Sequence, residues 1–393
     1  MFNVIHRIDP NADTVIILKS PLTSFAVWSP AGVKRDAETL EPVLEPVNAH
    51  PVDVWGTDVE EPSFEEAIID GPAVGGATDT ESFGQAAPIA EAIIETNPSE
   101  GSTNEKEIYY YVSSRHLRLA SPKFESMLSS EKWTEGVPDE NDGLYHISAE
   151  DWDTEALLLL LNVLHLRNRQ VPRSVSLEML AKIAVLIDYY ECAEAVELCS
   201  EAWVKHLRAT SPIPSEFCRD LVLWMCIAWV LRLPHEFTQT TAVAIRRADE
   251  EFPTLGLPIT GCVDRIDQAR MQAIGTVISK LQDLLNEYRN PLYQCAKGSS
   301  SFECGSILYG ALTKGMELAG LLEPYPVAPF PGLGVWELYE KVKCLRSPSW
   351  CSMVEYYRST SRHPCSLSDR VVEIADTAIR FADGLDLKDF KRT

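Results

Sequence analysis

The sequence has no long hydrophobic run and no apolar segment at its start. Its most apolar stretch, Leu221 to Leu231, has eleven residues, well short of the about 20 that a membrane-spanning helix needs. Residues 1–10 lack the apolar core and the small-residue cleavage site of a secretory signal. We therefore expect no membrane segment and no export, and an intracellular location in the cytoplasm, the nucleus or both.

Basic residues are scarce. The 393 residues include 35 Lys or Arg against 58 Asp or Glu, so the formal net charge is −23. Such a surface repels phosphate backbones, and no run of Lys and Arg, basic helix or zinc-finger spacing offsets it. The sequence therefore predicts no nucleic-acid partner.

Catalytic signatures are also missing. No G-x-x-x-x-G-K-[ST] pattern occurs, and Gly332-Leu-Gly334 lies in a Pro-rich stretch without the strand and helix that a phosphate loop requires. His116 has no nucleophile placed around it, so we interpret it as structural. An enzyme housed in the C-terminal helices stays a second alternative, but no nucleophile–base pair supports it, and we expect no enzyme.

Ten cysteines are present without a C-x-x-C pair, and reduced thiols are expected in an intracellular chain. Cys192, Cys199 and His206 are spaced two helical turns apart, about 10 Å, so they cannot share one ion. Later in the chain, zinc-type ligands recur at irregular spacing. They are Cys351, His363 and Cys365, with Cys295 or Cys304 upstream. We predict no cofactor, with zinc at Cys304, Cys351, His363 and Cys365 as the alternative to buried structural thiols.

The stretch from Ser29 to Lys106 differs from the rest of the chain. It holds 17 acidic residues against three basic ones, with eight Pro and seven Gly. Few apolar residues are available to offset the entropy of ordering, so we predict a disordered acidic insertion. Its paired carboxylates, such as Glu60-Glu61, are interpreted as solvated charge.

Around this insertion, four segments predict a small sheet. The β-branched run Asp13 to Leu18 predicts a strand that forms a hairpin with Phe25 to Trp28. Glu107 to Val112 predicts another strand, and Gly143 to Ile147 a further short one. Helix signals dominate afterwards, which gives an α+β class. The predicted helices start near Ser114, Ser121, Asp153, Ser174, Cys192, Phe217, Thr241, Ile266 and Ser306.

A helix pair is predicted for His116-Leu-x-Leu-Ala-Ser-Pro-x-Phe124-x-x-Met-Leu128. Trp133-Thr-Glu135 follows, and then, after an apolar helix, Leu180-Ala-x-Ile-Ala-x-Leu-Ile-Asp-Tyr-Tyr190. In this order these residues resemble the BTB/POZ family, in particular its fungal branch. Two positions depart from the family: the acidic insertion replaces a short turn between the first strands, and Asn168 replaces a Gly after the apolar helix.

The resemblance implies a BTB/POZ fold, in which a small sheet is flanked by a helical cluster, followed by an all-α C-terminal region. The implied organisation is 1–28 for the first strands, 29–106 for the acidic disordered insertion, 107–210 for the BTB/POZ domain and 211–393 for the helical region. It further implies a protein–protein interaction module that forms homo- or heterodimers and serves as an adaptor or scaffold. A transcriptional or chromatin co-regulator with the same dimer is the alternative.

The resemblance also implies partner-binding residues. Leu117, Leu119 and Met127 belong to the core or the dimer face. Trp133 and Glu135 fall where the family carries its short contact motif for cullin-type ubiquitin-ligase scaffolds. The alternative for Trp133 is that the ring folds back over Phe124 and Met127.

Overall fold

The computed structural model describes residues 4–28, 107–129, 133–296, 301–348 and 365–390. These residues belong to one compact unit and combine a small mixed sheet with many helices, as the α+β prediction states. The predicted acidic insertion, 29–106, lies outside the described residues.

Four strands form the sheet. They are β1 (Val4–Arg7), β2 (Thr14–Lys19), β3 (Ile108–Val112) and β4 (Tyr145–Glu150). The order across the sheet is β1-β3-β2-β4. The central pair, β2 and β3, is antiparallel, whereas β1 runs parallel to β3 and β4 runs parallel to β2. A chain segment from before residue 29 is therefore paired with one from after residue 106.

Local sequence explains the two central strands. In β3, Ile108, Tyr110 and Val112 are buried and the residues between them are half-buried, which confirms the predicted alternation. In β2, Thr14, Val15, Ile16 and Leu18 are buried, and β3 and β4 flank this strand on both sides.

The predicted hairpin is wrong. Phe25 to Trp28 form no strand, because the backbone carbonyls there serve a different partner. The Arg219 guanidinium donates to the carbonyl oxygens of Phe25 and Ala26, at 2.9 and 2.8 Å, and to Glu178 Oε2 at 2.8 Å. This segment is thereby tied to the helices, and the unpredicted β1 completes the sheet instead.

Five helices follow the central strands. They are α1 (Ser114–Ala120), α2 (Pro122–Ser129), α3 (Thr154–Leu164), α4 (Leu177–Tyr190) and α5 (Ala193–Thr210). Side-chain caps begin three of them, two at the predicted starts Ser121 and Asp153 and one at Ser176, two residues after the predicted start at Ser174. Ser121 Oγ accepts from the Phe124 N–H, Asp153 from two N–H groups of α3, and Ser176 Oγ from the Met179 N–H.

The C-terminal region contributes six more helices within the described residues. They are α6 (Arg219–Val230), α7 (Pro234–Arg247), α8 (Thr260–Arg289), α9 (Ser301–Leu318), α10 (Val335–Lys343) and α11 (Leu367–Arg380). Helix α7 begins earlier than predicted, because Pro234 occupies its first turn. The buried Glu236 there is paired with Arg208 at 2.6 Å.

Helix α6 lies at the centre of the molecule. Its residues from Leu221 to Ala228 are all fully buried, which explains why this run is the most apolar of the chain. Helix α4 packs against it, and the buried apolar residues form one cluster from Ile8 to Leu387. Within the described ranges, no helix has the length and apolar character that crossing a membrane requires.

A buried arginine organises the Pro-rich bridge between α9 and α10. Arg270, on α8, is 2% exposed. Its guanidinium donates to the backbone carbonyls of Pro329 at 2.8 Å, Leu333 at 3.2 Å and Phe330 at 3.3 Å. One charged side chain thus supplies hydrogen bonds to the backbone carbonyls of a segment that forms neither helix nor strand.

Candidate functional site

Two leucines of α1 differ in their exposure to solvent. Leu117 is fully buried, whereas Leu119, two residues later on α1, is 90% exposed. Residues two apart on a helix point in different directions. Leu117 therefore cannot contact a partner in this conformation, which corrects its assignment to a partner-binding set. Leu119 is available to a partner.

Leu119 borders an open groove of about 880 Å³. The groove lies between α1 and α2 on one side and the ends of α4 and α6 on the other, with Ile187 and Trp229 in its lining. Arg118 and Glu125, paired at 2.8 Å, line it as well. An apolar side chain thus stands on a mixed rim, the arrangement that protein interfaces use.

Trp133 and Glu135 lie beside a single helical turn, Thr134–Gly136, that packs against α2 and β4. Trp133 is 53% exposed, and Glu135 is half-buried. Phe124 stacks on Tyr190 with ring centroids 4.5 Å apart, so its nearest aromatic neighbour is not Trp133. About half of the Trp133 surface is open to a partner.

Met127 is half-buried on α2 and packs against the hydrophobic core. It contributes mainly to the anchoring of this helix and only in part to the surface. Of the five predicted partner-binding residues, Leu119 and Trp133 therefore present the largest apolar area to solvent.

His116 stacks on His165 with ring centroids 5.0 Å apart. His165 Nε2 accepts a hydrogen bond from the Ser113 N–H at 2.9 Å, and Nδ1 lies 2.8 Å from the Leu161 carbonyl oxygen. His165 is thus held as the neutral Nδ1–H tautomer, and burial lowers its pKa. Both rings join α1 to α3, which agrees with the structural interpretation of His116.

A cluster of three cysteines lies among the C-terminal helices. Cys295 follows α8, Cys304 lies in the first turn of α9, and Cys365 precedes the N-cap of α11. All three sulfur atoms lie within 4.8 Å of one another. Cys295 Sγ and Cys365 Sγ are 3.7 Å apart, much farther than the about 2.05 Å of a disulfide. We call Cys295, Cys304 and Cys365 the thiol cluster.

The surroundings of the thiol cluster are mostly buried but polar. Burial and hydrogen bonds to Cys295 and Cys365 raise the pKa of Cys304 to about 12. Burial acts in the same direction on Cys365, yet hydrogen bonds from the Tyr293 hydroxyl and the Ala296 N–H lower the pKa of that thiol. The three sulfurs therefore differ in environment although they share one site.

The structure brings together two of the predicted metal ligands, Cys304 and Cys365, and selects Cys295 as the third member. Cys351 and His363 lie outside the described residues. Tyr293 was missed because a tyrosine gives no ligand pattern in a sequence. The groove was missed because Trp229 is 110 residues from Leu119 along the chain, and no local pattern links them.

Comparisons with protein-family models, with curated proteins and with solved structures gave no match for this chain. The resemblance to the BTB/POZ family is therefore carried by the residues of this chain alone.

Proposed function

We propose that this chain is a protein–protein interaction module of the BTB/POZ type, which dimerises and acts as an adaptor or scaffold. The observation that carries the proposal is the helix pair α1 and α2, which follows the central strand β3 and packs against α3 and α4 with Leu117 inside and Leu119 outside. The proposed function is binding alone, and it includes no chemical reaction.

The order of the elements supports this proposal. The resemblance implies a first strand, a second strand, a helix pair, a further strand and then more helices. In the structure β2 pairs antiparallel with β3, α1 and α2 follow, β4 pairs parallel with β2, and α3 to α5 close the group. The extra strand β1 lies at the edge of the sheet next to β3.

The exposed apolar surface supports a second polypeptide as the partner. Burial of apolar surface is favourable by about 25 cal/mol per Å², and Leu119 leaves almost all of its side chain in water. A second copy of the chain that covers Leu119 and the adjoining groove would remove that surface from solvent.

Light scattering after size exclusion tests dimerisation. We expect the full chain to have twice its 43.8 kDa mass at micromolar concentration. Leu119→Asp is expected to weaken the dimer by about 100-fold or more, because the interface would bury an unpaired carboxylate. Leu318→Asp is the matched control, since Leu318 is 89% exposed on α9, outside the proposed interface. A wild-type monomer, or equal masses for both variants, would contradict the dimer.

The adaptor role is tested at Trp133 and Glu135. We expect Trp133→Ala to reduce capture of a purified cullin scaffold by roughly 30-fold, since a buried aromatic anchor contributes about 2 kcal/mol or more. Glu135→Ala is expected to have a smaller effect in the same direction. Val137→Ala is the control, because Val137 is 56% exposed and close by. Unchanged capture by both variants rejects the cullin partner, and chromatin proteins recovered instead would favour the co-regulator.

The proposal includes one cofactor, a zinc ion at the thiol cluster. Thiolates are soft ligands that select zinc over magnesium or calcium. The three sulfurs already lie within 4.8 Å of one another, which supports a shared metal.

A further inference from the structure

We propose that Cys295, Cys304 and Cys365 are three of the ligands of a structural zinc site that fastens the start of α11 to the connection between α8 and α9. This inference rests on zinc as the proposed cofactor, and it is independent of the interaction surface around Leu119.

The sulfur separations fit a tetrahedral ion. With Zn–S bonds of about 2.3 Å, sulfurs in a tetrahedral site lie about 3.8 Å apart. Cys295 Sγ and Cys365 Sγ are 3.7 Å apart, and the largest separation in the cluster is below 4.8 Å. A side-chain movement of about 1 Å or less therefore brings all three sulfurs to one ion.

Neighbouring groups hold two of these ligands in place. The Tyr293 hydroxyl and the Ala296 N–H are hydrogen-bonded to Cys365, and the Cys295 N–H donates to Ser301 Oγ at 3.0 Å. Groups that orient the ligands in this way are a regular part of zinc sites. Tyr293 also packs edge-on against Tyr288 of α8, with ring centroids 5.5 Å apart, which shields the cluster on one side.

The position of the cluster indicates its role. Cys295 and Cys365 are separated by 70 residues along the chain, so a shared ion closes a long loop. Helix α11 starts two residues after Cys365 and packs on α8 and α10. Besides the apolar packing of buried residues such as Val371 and Ile374, α11 is linked to α8 by the exposed pair Arg370–Glu287 at 2.8 Å and by a half-buried contact from Lys280 to Thr377 at 3.0 Å. The exposed ion pair contributes little, so the ion would add a fixed point at the start of α11 to the apolar packing of the helix.

Two other arrangements of the same residues are distinguishable from a zinc site. A disulfide between Cys295 and Cys365 would close the same loop without metal, and it would lower the mass of the chain by two hydrogens. Three buried reduced thiols would bind no metal, and a chelator would then leave the hydrogen exchange of α11 unchanged.

The test uses the full chain purified without chelators. Elemental analysis is expected to find about one equivalent of zinc. Cys304→Ser and Cys365→Ser are expected to lose most of it, whereas Cys344→Ser, which changes an exposed cysteine at the end of α10, is expected to keep it. Because a cysteine variant can also fail to fold, the wild type is examined with Co²⁺, which is expected to show thiolate-to-metal charge-transfer absorption.

Hydrogen exchange tests the fastening role. After removal of zinc from the wild type by a chelator, amides of α11 are expected to exchange about tenfold faster or more, while those of α4 are unchanged. Zinc below about a tenth of an equivalent, together with no cobalt spectrum, overturns both the cofactor and the site. Bound zinc with unchanged α11 exchange overturns the fastening role alone. An intact Cys295–Cys365 disulfide in the purified chain overturns the site in favour of a covalent link.

Discussion

Arg270→Met is expected to lower the free energy of unfolding by about 3 kcal/mol or more, because three backbone carbonyls lose a buried donor. The side chain is 2% exposed and its guanidinium donates to the carbonyls of Pro329, Phe330 and Leu333. Methionine fills much of the same volume but donates no hydrogen bond. Each carbonyl left buried without a partner costs about 1–3 kcal/mol.

A second consequence of Arg270→Met concerns Asp267. Burial raises the pKa of Asp267 and the Arg270 charge acts against this change, so removal of the cation raises the pKa of this carboxyl further. Asp267 then takes up a proton more readily in the folded state. The loss of stability in Arg270→Met is therefore expected to be smaller at pH 4–5 than at pH 7, in the direction that proton linkage requires.

Urea unfolding of the full chain measures both effects. Arg265→Met is the matched control, because Arg265 is an exposed arginine on the same helix whose contact is a cation–π interaction with Phe390. We expect it to change stability by about 1 kcal/mol or less. Arg270→Lys is expected to fall between wild type and Arg270→Met, because lysine keeps the charge but not the planar fork of donors. Arg270→Met with wild-type stability would show that the bridge does not depend on this side chain.

Leu117→Ala is expected to destabilise the chain by about 2–5 kcal/mol, whereas Leu119→Ala changes its stability by about 0.5 kcal/mol or less. Leu117 is fully buried in the hydrophobic core, and truncation leaves a cavity there. Leu119 is 90% exposed, so its truncation removes no packing within the monomer.

The two variants serve as controls for each other, since both truncate a leucine on α1 and differ only in the burial of that leucine. Thermal unfolding is measured at several protein concentrations, because a dimer makes the midpoint concentration-dependent. At low concentration Leu119→Ala is expected to match the wild type, while Leu117→Ala unfolds at a lower temperature. Equal midpoints for the two variants would contradict the division of α1 into a buried and an exposed face.

Local patterns in the sequence predicted a large part of this fold. The alternation of Ile108, Tyr110 and Val112 was enough for β3, because a strand with one buried face needs that period. Ser121 and Asp153 marked helix starts, because a hydroxyl or carboxylate at that point satisfies backbone N–H groups that the helix leaves open. Both signals act over a few residues, so they can be read without knowledge of the rest of the chain.

The wrong prediction for Phe25 to Trp28 shows that local patterns do not determine every strand. The run has the composition of a strand, but Arg219, almost 200 residues later, takes the carbonyls that a hairpin would use. In β1, polar His6 and Arg7 obscure the strand, which forms because β3 offers it a free edge. Pairing partners decide strands of this kind, and they are distant in sequence.

The sequence by itself determined the class of elements, several of the helix starts, the two central strands and the residue types available for a metal. Only the tertiary structure decided that Leu117 is inside and Leu119 outside, and that Cys295, Cys304 and Cys365 meet. The physical reason is the range of the interactions: caps and periodicity act within a turn or two, whereas burial and convergence depend on contacts between segments that are 50–100 residues or more apart.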